Sequence, residues 1–62
     1  MPTISEKELS FIQDQMTYEQ LLVKKYNNDA AAAMDTELQQ RFQSIAARHQ
    51  THFDQLKSFL TC

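Results

Sequence analysis

Three residues of this 62-residue chain combine the right types and spacing for coordination or proton chemistry: Glu19, His49 and His52. His49 and His52 are three apart, so on a helix both imidazoles leave the same face about one turn apart. They interrupt the stripe Leu38, Phe42, Ile45, His49, His52, Leu56 and Phe59, whose alternating steps of four and three form the seam of a helix packed against other helices. Ala46, Phe53 and Leu60 widen that face. Upstream, Leu9, Ile12, Met16, Glu19, Val23, Tyr26, Ala30 and Ala33 form a second seam, apolar except at Glu19, with Phe11, Tyr18 and Leu22 on its shoulder. A carboxylate in one seam and two imidazoles in the other fit two chemistries. In one, Glu19 accepts hydrogen bonds from His49 or His52 and sets the register of the helices, as a lone polar seam residue does in coiled coils. In the other, Glu19, His49 and His52 of two paired chains converge inside a four-helix bundle and hold metal; nitrogen and oxygen donors together suit zinc, with iron as the second candidate. Otherwise one or both histidines lie at the edge of the seam and meet water.

Both chemistries require the two seams to face each other, and the local sequence predicts how. Ser5 followed three residues later by Glu8 is a capping box, bracketed by Ile4 and Leu9 as a hydrophobic staple, and acidic Glu6 and Glu8 suit the positive end of a helix dipole. Pro2 and Thr3 stay outside. Nothing before Ala33 breaks a helix, and Ala30 to Ala33 is the strongest helix-forming run in the chain, so the first helix is expected over about 6–33. After a short turn near Met34, Asp35 caps a second helix, Glu37 suits its first turn and pairs with Arg41, and the helix runs over about 36–60. Two long helices joined so briefly lie antiparallel as an αα-hairpin, a single domain over 1–62. With the turn centred on Met34, Glu19 and His49 stand equally far from it, which puts them at one height along the hairpin.

Composition agrees with an all-α chain: no glycine, one proline, and abundant Gln, Ala, Leu, Glu and Lys. So short a chain buries only about 60% of the surface it exposes unfolded, and a lone hairpin leaves both seams partly uncovered. Two copies packed as a symmetric homodimer into a four-helix bundle are the expected remedy. The net charge of −2 is spread among interspersed acids and bases, which argues against a nucleic-acid or anionic-lipid partner. No apolar run reaches the roughly 18 residues of a membrane span, and no basic segment followed by an apolar one marks an export signal. The single cysteine, Cys62, excludes an internal disulfide and leaves a terminal thiol or a crosslink to another chain. Ser5, Ser10, Ser44 and Ser58 are not at seam spacing with a histidine and no glycine loop is present, so no catalysis is expected.

The pieces Tyr18-Glu19-Gln20-Leu21-Leu22-Val23-Lys24-Lys25-Tyr26 and Ile45-Ala46-Ala47-Arg48-His49-Gln50-Thr51-His52-Phe53 resemble the Coat F family of spore coat proteins from endospore-forming bacteria, over about Leu9 to Leu60. The resemblance implies a ferritin-like helical hairpin completed by pairing, no catalytic activity, other coat proteins as partners, and a location in the spore coat or the mother-cell cytoplasm. Against the wider ferritin-like pattern, Glu19 and His52 match the first-helix carboxylate and the histidine of Glu-x-x-His, while His49 stands where the second carboxylate belongs. An iron-storing or iron-oxidising ferritin-like role is therefore the alternative to a structural one.

Overall fold

A computed structural model describes residues 4–60, so the readings placed on Pro2, Thr3 and Cys62 lie outside the described part of the chain. Those residues form two helices and no strand: α1 over Glu6–Ala32 and α2 over Thr36–Lys57, folded back as a helical hairpin. The N-terminus of α1 is held by the capping box, with the Glu8 amide donating to Ser5 Oγ at 3.1 Å and the Ser5 amide donating to the Glu8 carboxylate at 3.1 Å. α1 ends where Ala33 turns to an extended conformation, and Met34, 99% exposed, sits at the tip of the turn. Asp35 caps α2 by accepting from the Leu38 amide at 2.8 Å. Gln39 reaches back across the turn and donates to the Ala33 carbonyl at 2.7 Å, satisfying one of the orphan carbonyls at the end of α1. The α2 helix stops at Lys57 rather than near Leu60. There the amides of Phe59 and Leu60 bond to Leu56 and Lys57, three residues back, and tighten the last turn.

The seam expected on α1 packs except at its first residue: Leu9 is exposed, Ile12, Met16, Val23, Tyr26 and Ala33 are half-buried, and Glu19 and Ala30 are buried. The α2 seam is rotated by about one position in alternate steps. Its inner line is Gln39, Phe42, Ala46, His49, Phe53 and Leu56; Ile45 is half-buried beside it, and Leu38, His52 and Phe59 are exposed. The reason is size. Ala30 and Ala46 are the buried apolar residues among those described, and a methyl side chain is what allows two helices to approach closely while longer side chains splay to either side.

The hairpin is a slab of 46 × 16 × 11 Å, one helix thick. Its two flanks differ. Phe11, Gln15, Tyr18 and Leu22 follow one another at helical spacing along α1, and Leu38, Ile45, His52 and Phe59 follow at heptads along α2. Gln15 and His52 both approach the Glu19 carboxylate. Because antiparallel helices wind in opposite senses seen from one end, the two ridges fall on the same side of the slab and border one broad open face. Among the described residues, no helix is long and apolar enough to cross a membrane.

Candidate functional site

At mid-height of the hairpin the three residues singled out by spacing meet. Glu19 is 5% exposed, held inside the seam by the packing of α1 on α2. His49 Nδ1 lies 2.8 Å from Glu19 Oε2, and since a carboxylate only accepts, the ring donates. His52 Nδ1 stands 3.4 Å from the same oxygen, too long for a well-formed hydrogen bond. The difference follows from the rotation of α2, which carries His49 inward, with a side chain 22% exposed, and leaves His52 at the border with the open face, 52% exposed. Glu19 Oε1 is occupied separately by Gln15, whose side-chain amide donates at 3.3 Å from one turn earlier in α1.

Two further residues shape the group that the spacing argument left out of it. Tyr26 lies parallel to the His49 ring, 5° between planes and 5.8 Å between centroids, and is itself backed by Phe42 at 6.0 Å. This stacking fixes the imidazole plane. His52 meets His49 edge to face at 5.5 Å. Tyr26 was legible as a seam residue but not as the support of His49, since the rotation of α2 decides which ring it meets. Gln15 carried a readable signal, being four residues before Glu19 on one face of α1.

Burial is the largest single influence on the Glu19 carboxyl and pushes it up, but the hydrogen bond and Coulombic attraction of His49, with Gln15 and His52 adding to them, outweigh it and hold the carboxyl below its ordinary range. No family model, curated protein or solved structure matches the chain.

One acidic and two imidazole groups have ligand atoms within 4.8 Å of one another, so the arrangement suits a cation as well as a hydrogen-bonded network. A ferritin-like di-iron centre does not fit these residues. It needs further carboxylates to bridge the metals, and the group contains one, Glu19. Of the serines, Ser5 Oγ bonds Glu8 at the cap and Ser58 Oγ bonds the Gln55 carbonyl, each serving a helix end.

Proposed function

We propose that this chain is a non-catalytic structural building block, a helical hairpin that pairs with a second copy of itself into a four-helix bundle. The observation that carries this reading is the open face, where Phe11, Tyr18, Leu38 and Phe59 are each at least 45% exposed while no large side chain among the described residues is fully buried. An area comparison supports it. The chain exposes 4919 Å², whereas a compact monomer of 7.3 kDa exposes about 4,200 Å². The excess of about 700 Å² is close to the roughly 800 Å² that each partner contributes to a standard interface. Two open faces laid together by a two-fold axis, with helices inclined at about 20°, cover the ridges of both copies.

The likeness to Coat F proteins in Tyr18–Tyr26 and Ile45–Phe53 supports a place in or around the spore coat of an endospore-forming bacterium, with other coat proteins as neighbours. The hydrogen-bonded group at Glu19 then serves as the register lock that fixes which heights of the two helices meet. Light scattering at micromolar concentration is expected to give twice the 7.3 kDa chain mass, or a multiple of that. Tyr18→Glu combined with Ile45→Glu is expected to return the mass to one chain with the helical circular dichroism retained. A natural chain that stays a fully helical monomer across that range overturns the reading.

A further inference from the structure

We infer that Glu19, His49 and His52 form a binding site for one divalent transition-metal ion of the zinc type, held within a single hairpin. All donors come from one chain, so the site does not depend on pairing. The first argument is distance. Zinc holds its ligands at about 2.0–2.2 Å in a tetrahedral arrangement, which sets neighbouring donor atoms about 3.3–3.5 Å apart. His52 Nδ1 and Glu19 Oε2 are already 3.4 Å apart. His49 Nδ1, at 2.8 Å from that oxygen, has to move out by only about half an ångström as an ion replaces the hydrogen bond.

The second argument is preorganisation. Two imidazoles from successive turns of α2 turn the same ring nitrogen toward one carboxylate oxygen, and with the ligand atoms within 4.8 Å of one another the rings have to draw together only modestly to share an ion. The groups around them restrict their movement: Gln15 holds the other Glu19 oxygen and Tyr26 stacks on the His49 ring. Such outer partners keep metal ligands oriented and tune their affinity. The third argument is access. In the unpaired hairpin His52 lies half in water at the border of the open face, so the ion enters before a second copy covers that face, and the fourth tetrahedral position is left to water.

Coordination through Nδ1 needs the lone pair of that nitrogen, so the proton that His49 donates to Glu19 has to leave Nδ1 as the ion enters, to Nε2 or to solvent. A single carboxylate within the group sets the stoichiometry at one ion per chain, since none is left over to bridge a second.

The test uses the full chain with Cys62→Ser, which removes a thiol able to bind metal independently, stripped with chelator and titrated with zinc chloride by calorimetry. Cobalt(II) in a parallel titration reports geometry through its visible absorption. One ion per chain is expected, with a cobalt spectrum of the tetrahedral type and a raised melting temperature in zinc. His52→Gln, at a half-exposed position, is expected to keep the helical signal and weaken binding at least tenfold; Gln15→Ala, which frees the outer carboxylate oxygen, is expected to weaken it about tenfold. Glu19→Gln, close to isosteric, is expected to abolish the cobalt band. The inference is overturned if the stripped chain takes up no zinc, or takes it up equally well in the His52→Gln variant.

Discussion

Two apolar surfaces of this hairpin meet along the line from Glu19 to His52, and they differ in what covers them. The inner seam is closed by the partner helix, with Ala30 and Ala46 at its closest points and Phe42 lying against Tyr26. The face beside it carries side chains at least as large, yet Phe11 is 60% and Tyr18 56% exposed. A two-helix unit can close only one surface per helix, and small residues decide which one it closes. The hairpin therefore closes over Ala30 and Ala46, with Tyr26, Phe42 and Phe53 half-buried beside them, and presents Phe11, Tyr18 and Phe59 outward.

The two surfaces separate most clearly under the same truncation made on each. Phe42→Ala removes a ring from the seam and is expected to cost about 2 to 3 kcal/mol, just under the range of about 3 to 5 kcal/mol for core phenylalanines because the ring is only half-buried. In so small a domain this suffices to unfold much of the population at ambient temperature. Phe11→Ala, made under conditions where the chain is monomeric, is expected to stay within about 0.5 kcal/mol. Thermal melts followed by circular dichroism compare the two. Equal losses would show that the open face is already closed within a single chain.

Much of this arrangement is legible in the sequence, and the part that is not has a physical cause. Ser5 with Glu8, and Asp35, announce the helix starts because capping is local chemistry, independent of what the helix packs against. The α1 seam is readable because one apolar stripe dominates. α2 carries two stripes side by side, Ile45-His52-Phe59 and Ala46-Phe53-Leu60, and a count of apolar mass favours neither. Close approach favours the stripe with Ala46, and the polar Gln39 joins it because its amide serves the Ala33 carbonyl across the turn. Counting from the turn matches Glu19 with His49 because height along a hairpin is conserved when a helix rotates. Rotation moves His52, which changes from a seam residue into an edge residue.

A smaller effect is expected at the border between the two surfaces. Glu19→Leu fills the seam with an apolar side chain but takes the acceptor from His49, and the cost of leaving such a group without its partner is about 1 to 3 kcal/mol. His49 is partly open to water, so the loss is expected near about 1 kcal/mol, from the low end of that range. The pair Glu19→Leu with His49→Leu is expected to recover most of it, because replacing both members of a buried polar pair leaves no unmatched group. Such recovery assigns the pair to register rather than stability. A double variant less stable than either single one would show the carboxylate–imidazole contact to be strongly stabilising in its own right.

The smallest effect is expected from acid, and its sign follows from the same carboxylate. Burial pushes the Glu19 carboxyl up, while His49, Gln15 and His52 together pull it further down, so its folded value lies below the ordinary 4.5. The unfolded chain then binds this proton more readily than the folded one, and stability falls as the proton is taken up. The contribution is fully present above pH 4.5 and is lost as pH drops through the lower value held in the fold. Glu8 moves in the same direction, lowered by the side-chain and backbone hydrogen bonds from Ser5, but it is fully exposed. Subtracting the acid titration of Glu19→Gln from that of the natural chain removes the Glu8 share, since the capping box is intact in both. The difference in unfolding free energy is expected to level off about one pH unit above 4.5 and to decline below that. A difference that grows as pH falls would mean that the Glu19 carboxyl is raised in the fold, and that its burial in the seam outweighs two imidazoles.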